Sequence, residues 1–199
     1  WVCGIKGKSI WKYISRKFPN VHIDPVLFKK SARERIDEKH EEKSLELPEN
    51  LVFLSRSFND PDIKCVKKYL AKRGYEPDVI SRWRAMTSKS GRFRRRVLIP
   101  SFDSEGKLNY YVGRSIDDQG IKYFNARVPK TDIIFNEIDI DWSREVILVE
   151  GVFDAMKSPE NTVPLLGSAL PTSSRLYQKL MKNESSVVVS LDPDLKSKS

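Results

Sequence analysis

The chain reads as an α/β protein. A parallel sheet of βαβαβ type occupies its last third, preceded by a smaller, basic α+β subdomain. Three observations predict this. Apolar strand-like runs at 146–149, 163–166 and 187–191 alternate with helix-compatible segments at 152–157 and 173–182, and such alternation implies βαβ units. Two of those runs end in acidic clusters: Val146-Ile147-Leu148-Val149 leads into Glu150-Gly151-Val152-Phe153-Asp154, and Val187-Val188-Val189-Ser190-Leu191 leads into Asp192-Pro193-Asp194. In open α/β sheets the loops at the carboxyl ends of parallel strands form the ligand crevice. Ahead of this region, the apolar period changes near residue 92 from helical to strand-like.

Taken in order, residues 1–20 hold Cys3-Gly4, Gly7 and a short amphipathic stretch from Ile10 to Ile14. Residues 21–60 read as a linker or charged helix, because 31–49 mixes both signs densely before Pro48 and Asn50 punctuate the chain. Residues 61–143 form the basic subdomain. Its first helix, 62–74, carries Ile63, Val66, Tyr69 and Leu70 at helical spacing, with Gly74 as a stop and Cys65 read as core. A second helix starts after Pro77 and runs through Trp83. Phe93, Val97, Ile99 and Phe102 mark a strand, Asp103-Ser104-Glu105-Gly106 a turn, and Leu108, Tyr110 and Val112 a second strand, giving a hairpin. Residues 144–199 hold the parallel sheet, with Gly167-Ser168 after its middle strand and Pro171-Thr172-Ser173 as a helix cap. Trp83 and Trp142 read as packing residues, and His22 and His40 carry no assigned chemistry.

Charge separates along the chain. The net charge is +9, which favours a polyanionic partner. Residues 89–130 contain ten basic side chains and four acidic ones, whereas 137–160 contain seven acidic and two basic. Within Arg92-Phe93-Arg94-Arg95-Arg96, a strand places Arg92, Arg94 and Arg96 on one face, where guanidiniums can fork onto phosphates; the plainer reading is a solvated basic edge strand. Carboxylates from two loops can converge on one hard divalent cation, because Mg²⁺ takes oxygen ligands and keeps places for substrate phosphates. Glu-Gly and Asp-Pro-Asp turns are each common surface loops. Their joint placement after two apolar strands, beside a basic stretch, points to metal-assisted phosphoryl chemistry. Two cysteines make no disulfide framework, so a reducing compartment is the simpler reading, and no apolar run approaches the roughly 20 residues of a membrane span. The chain begins at Trp1 and stops just after its second acidic cluster, which reads as a piece of a longer protein.

Read together, Glu150-Gly151-x-x-Asp154, Gly167-Ser168-Ala169-Leu170 and Asp192-x-Asp194 resemble the Toprim signature shared by bacterial-type primases, topoisomerases and some nucleases. Ahead of them stand Tyr69-Leu70 with Arg73-Gly74, the strand Arg92 to Pro100, Gly113-Arg114 and Lys122-Tyr123-Phe124-Asn125. These resemble the RNA-polymerase domain of bacterial and phage DNA primases, in the order that family shows, over roughly residues 60–195. Cys3-Gly4 with Gly7-Lys8 is similar to the last knuckle of that family's amino-terminal zinc ribbon.

The resemblance implies a Toprim-like parallel sheet in a fragment of a phage primase or primase-helicase. It also implies Mg²⁺-dependent (or Mn²⁺-dependent) synthesis of RNA primers on single-stranded DNA in replication. Glu150, Asp192 and Asp194 would be catalytic and hold Mg²⁺. Arg94, Arg96, Arg114, Lys122 and Asn125 would contact template or incoming nucleotide. Asp154 would support the metal site, and Gly151 and Gly167 would allow turns where a side chain would crowd it. Cys3 would be a Zn²⁺ ligand only in the longer protein. Implied partners are the single-stranded template, ribonucleoside triphosphates, the RNA primer and a replicative helicase in cis or in trans, with no membrane. The implied location is the cytoplasm, that of the host cell if phage-encoded. One departure stands out: Leu195-Lys196-Ser197-Lys198 follows the last aspartate, where the family places a small residue or glycine. A Toprim nuclease or topoisomerase is the enzymatic alternative, although a topoisomerase needs a tyrosine nucleophile elsewhere. A non-catalytic nucleic-acid-binding replisome module is the third reading.

Overall fold

The structure is a computed structural model and describes residues 45–118 and 120–191, all within one compact unit that begins at Leu45. The zinc-ribbon end with Cys3, the stretch before residue 45, and Asp192 and Asp194 lie outside the described residues. No described helix is long and apolar enough to cross a membrane.

Strand β1 (Leu51–Phe53) opens the fold, followed by helices α1 (Pro61–Lys72) and α2 (Pro77–Arg82). Helix α1 forms where the periodicity places it. Asp60 caps its start by accepting the N–H groups of Asp62 and Ile63 at 2.9 and 3.1 Å, and Pro61 fits the first turn, which needs no donor. Ile63, Val66 and Leu70 form the buried stripe, and the chain leaves the helix through Gly74 at φ +76°. Cys65 is exposed rather than core. Two positions past Ile63 is some 200° around a helix, opposite the stripe.

Strands β2 (Met86–Ser88), β3 (Arg96–Phe102), β4 (Leu108–Ser115) and β5 (Tyr123–Asn125) join β1 in an antiparallel sheet of order β1-β2-β3-β4-β5. Strand β3 is central, and all but its last residue are buried. Pro100 lies past the single β2 pairing at Leu98, so its missing donor is tolerated. The β3–β4 hairpin closes as its sequence predicts. Asp103 Oδ1 accepts the N–H groups of Glu105 and Lys107 at 2.9 Å, and Gly106 turns at φ +81°. Strand β1 falls in the stretch read as linker; its three residues are too few to show a period.

The basic run does not form one strand. Gly91–Phe93 is a 3₁₀ turn, Arg95 sits at φ +52° and β3 starts only at Arg96. Arg92, Arg94 and Arg96 therefore do not share a strand face.

Strands β6 (Val146–Val149), β7 (Thr162–Pro164) and β8 (Val187–Val189) form the expected parallel sheet, in the order β7-β6-β8. Helix α3 (Val152–Ala155) follows β6, and α4 (Arg175–Lys182) precedes β8. Ser174, one residue beyond the predicted cap, holds the start of α4 by accepting the Tyr177 N–H at 3.3 Å. Val149, Val152, Phe153, Ala155 and Met156 share one core with Leu70, Tyr75 and Val112, so the two sheets are packed together. A second cluster joins Val146, Leu148 and Val163 to Leu176 and Leu180 of α4. Trp83 is buried against Phe135, and Trp142 packs at the edge of the second cluster.

Candidate active site

The parallel sheet fixes where the carboxylates can act. Central strand β6 delivers Glu150 at its carboxyl end, and edge strand β8 runs parallel beside it, Leu148 opposite Val189. Residues 190–191 therefore leave β8 at the same edge of the sheet as Glu150. Gly151 follows, its N–H bonded to Asp154 Oδ2 at 3.1 Å. A Cβ at 151 would stand 2.9 Å from that oxygen, so a larger residue there would require the Asp154 carboxylate to shift. Gly167 differs from its expected role: a Cβ there would meet nothing within 4 Å, so crowding is not what selects it. The β7 loop instead bonds through its backbone. Leu165 N–H reaches Val149 O at 2.8 Å and Gly167 N–H reaches Glu150 O at 3.1 Å. Leu166 between them adopts φ +58°, a left-handed conformation costing a non-glycine residue on the order of 1 kcal/mol.

Glu150 opens into a cavity of about 240 Å³, lined also by Arg73, Arg114, Tyr123, Asn125, Lys130, Asp154 and the apolar wall of Val112, Val152, Phe153 and Leu166. Five sequence-nominated residues thus meet at one place: Glu150, Gly151, Asp154, Arg114 and Asn125. The Oε1 atom of Glu150 and the Oδ1 atom of Asn125 are buried without a hydrogen-bond partner. A buried polar atom left unpaired costs about 1–3 kcal/mol. An orphaned carboxylate oxygen on a residue that lines a cavity suits a cation, and such a hard oxygen ligand fits Mg²⁺. Among the described residues no three His, Cys, Asp or Glu side chains gather as a metal site; Glu150 and Asp154 are the two carboxylates that line the cavity.

Three cations line the same cavity. Arg114, on β4, donates through Nε to the Tyr69 hydroxyl at 3.0 Å and through Nη1 to the Tyr123 hydroxyl at 2.7 Å. Its guanidinium also lies 5.1 Å from the centroid of the Phe153 ring. Phe153 is fixed in turn by Tyr75, whose hydroxyl donates to its carbonyl at 2.9 Å and is pushed up in pKa by burial. Arg73 lies over the Tyr69 ring at 5.5 Å. Lys130 Nζ donates to the Leu166 carbonyl. The sequence reading passed over Arg73, Tyr123 and Lys130 as site residues. Arg73 and Tyr123 stood in recognised motifs, but Lys130 carried no local signal beyond its charge.

The other nominated basic residues lie outside this cavity. Arg96 is only 8% exposed. Its Nε donates to Arg92 O at 3.0 Å, Nη1 to Lys122 O at 3.3 Å and Nη2 to Ile121 O at 2.6 Å. The guanidinium also stacks 4.3 Å from the centroid of Phe124. Arg94 pairs with Asp62, and Arg95 bridges Asp62 and Asp117. These guanidiniums hold both carboxyls below the usual carboxylate range, Arg95 foremost. The Lys122 side chain is exposed.

Comparison with known proteins gives this arrangement a class. No family model matches the chain. Its mixed α/β fold matches the catalytic core of DnaG-type primases: TM-score 0.55 and 20% identity to the DnaG catalytic core over 68% of this chain and 57% of that one. The RNA polymerase domain of Mycobacterium tuberculosis primase DnaG gives 0.55 at 16% identity, covering 70% of this chain and 63% of that one. The DnaG primase catalytic domain bound to ssDNA gives 0.52 at 21%, covering 68% and 58%. Homologues by sequence are bacterial DNA primases. The chain is 28% identical to that of Buchnera aphidicola subsp. Acyrthosiphon pisum over 144 residues, 64% of this chain and 25% of the relative. It is 34% identical to that of Clostridium acetobutylicum over 117 residues, 52% of this chain and 19% of the relative. The chain thus spans a quarter or less of these relatives' length.

Proposed function

We propose that the chain is part of a DNA primase, a DNA-directed RNA polymerase with a Toprim-type sheet. It would make short RNA primers on single-stranded DNA from ribonucleoside triphosphates during replication. The observation that carries this reading is the orphaned Glu150 carboxylate in a cavity that Arg73, Arg114 and Lys130 also line. A carboxylate alone repels a triphosphate; beside cations and bridged by a metal, it suits one. Glu150 would hold Mg²⁺ (or Mn²⁺) with Asp192 and Asp194, and the bound ion would neutralise phosphate charge and polarise the attacking hydroxyl.

The chain's own residues orient the reactants. Arg114, anchored by two tyrosine hydroxyls, presents a fixed fork toward phosphate. Asn125 offers an unpaired carbonyl to a ribose or base. Asp154 keeps the turn after Glu150 in place. Lys122 and Arg94, on the surface, would follow the template backbone by charge, and Arg96 would serve through the β5 strand that it anchors. A zinc ribbon involving Cys3 and a replicative helicase partner belong to the longer protein in this reading. The phage origin of the sequence is likewise part of the proposal.

Template-dependent primer synthesis tests it. Primer formation that disappears in Glu150→Gln and in Asp192→Asn, with both variants folded, is the expected result. Synthesis surviving both substitutions would overturn the metal assignment. DNA cleavage without synthesis would move the reading to a nuclease.

A further inference from the structure

Tyr123 is an exposed aromatic at the rim of a charged cavity, and its surroundings assign it a task. Strand β5 pairs with β4 so that Tyr123 lies opposite Arg114 and Phe124 opposite Gly113. Alternation sends Phe124 inward, against Phe93 at 6.1 Å and under the Arg96 guanidinium, and leaves Tyr123 and Asn125 on the cavity side. Tyr123 is 40% exposed. Arg114 grips its hydroxyl at 2.7 Å and its guanidinium lies 5.4 Å from the ring centroid, and no other ring among the described residues stacks on it. Arg114 therefore tethers the ring from one side, and the exposed part of Tyr123 stands at the cavity rim. A tethered, partly exposed aromatic next to phosphate-seeking cations is the arrangement by which proteins stack unpaired bases.

We propose that Tyr123 is a stacking platform for a nucleobase whose phosphates lie toward Arg114, Arg73 and Glu150. This rests on the primase reading. The base belongs either to the single-stranded template or to the incoming ribonucleotide, and both share the chemistry of a flat π-face attached to a phosphorylated sugar. The hydroxyl serves to orient the ring, and the ring serves to bind.

The test compares ligands with and without bases, using the full chain, wild type, Tyr123→Phe and Tyr123→Leu. Binding of oligothymidylate and of an abasic strand of equal length is measured by anisotropy. Binding of ATP and of inorganic tripolyphosphate, each with Mg²⁺, is measured by calorimetry. Tyr123→Leu should weaken oligothymidylate or ATP by roughly 5- to 150-fold, the range for one lost stacking contact, while leaving its base-free counterpart within about 2-fold. Whichever base-bearing ligand responds identifies the source of the base. Tyr123→Phe, which keeps the ring, should stay near wild type. Equal weakening of base-bearing and base-free ligands would overturn the platform and make Tyr123 a mere support for Arg114, as would no weakening at all. A wild-type chain that binds none of the four ligands would overturn the primase reading and the platform with it. The wild-type and variant arms thus separate the two failures.

Discussion

Replacing Arg96 with methionine separates two roles that charge alone does not. A guanidinium reaching a template phosphate would, when removed, lower the salt dependence of single-stranded DNA binding by about 0.7 in log–log slope, with little effect on folding. The geometry argues for the other role. Arg96 donates three hydrogen bonds to the carbonyls of Arg92, Ile121 and Lys122 and stacks on Phe124. Charge-assisted bonds contribute about 1.5–3 kcal/mol each where water is excluded, and the stacking about 0.5–2 kcal/mol. Lys122 O keeps the Ser115 N–H as a second partner at 2.9 Å, and methionine preserves much of the buried stem. A net loss of about 1–3 kcal/mol follows, because Arg92 and Ile121 are exposed and water can take the guanidinium's place at their carbonyls. The assay is urea unfolding followed by circular dichroism, paired with salt titration of oligonucleotide binding on the folded fraction. Arg96→Met should unfold at clearly lower urea with an unchanged salt slope, and Arg96→Lys should rescue little, because an ammonium cannot reproduce the fork. A variant as stable as wild type but with a shallower salt slope would refute the reasoning.

Three further outcomes can be measured directly. Gly113→Ala would place a Cβ 2.7 Å from Phe124 O and 3.1 Å from the Phe93 ring, so a melting scan should show a loss of about 1–3 kcal/mol and a weakened β4–β5 pairing. Asp117, held below the usual carboxylate range by Arg95, contributes stability at neutral pH that is lost as pH falls from the unfolded-state value near about 3.9 through its lower folded value. Asp117→Asn should therefore melt earlier than wild type at pH 7, with the two curves converging as pH falls below the usual carboxylate range. Glu137 is 2% exposed and lies 3.0 Å from both Arg175 and Lys179 of α4. Removing both cations strands the carboxylate and should cost about 3–5 kcal/mol in chemical unfolding, whereas Glu137→Met should cost less because the freed cations reach water.

The parallel sheet and helix α1 were readable from sequence because each buries a continuous pattern. Val146–Val149 and Val187–Val189 are apolar runs bounded by turns, and Ile63, Val66 and Leu70 fall on one helical face. Strands β1 and β2 escaped because three residues cannot display a period; their pairing with each other and with β3 makes them strands. The arginine run misled because alternation presumes an unbroken strand, and Arg95 at φ +52° breaks it. Gly91, at φ +66°, was the visible hint. In the site, Glu150, Arg114 and Asn125 were legible through motifs. The destination of the Arg96 guanidinium was not, since two of the three carbonyls that accept it come from a turn 25 and 26 residues away in sequence. Cys65 shows the same lesson in one residue: a helical stripe is a matter of angle, not of proximity to apolar neighbours.

The bond from Gly167 N–H to Glu150 O turns the loop after β7 into a lever on the Glu150 carboxylate. Glu150 hangs from β6 on one side and is latched through its own carbonyl on the other, with Leu166 wound like a spring between the two attachment points. Lys130 pins that spring by holding the Leu166 carbonyl. A change anywhere along 165–167 is therefore transmitted to the carboxylate without passing through a side chain. Since displacement of about 1 Å at a reacting centre can cost 10²-fold in rate, in the proposed primase this loop would control the alignment of the site through its backbone.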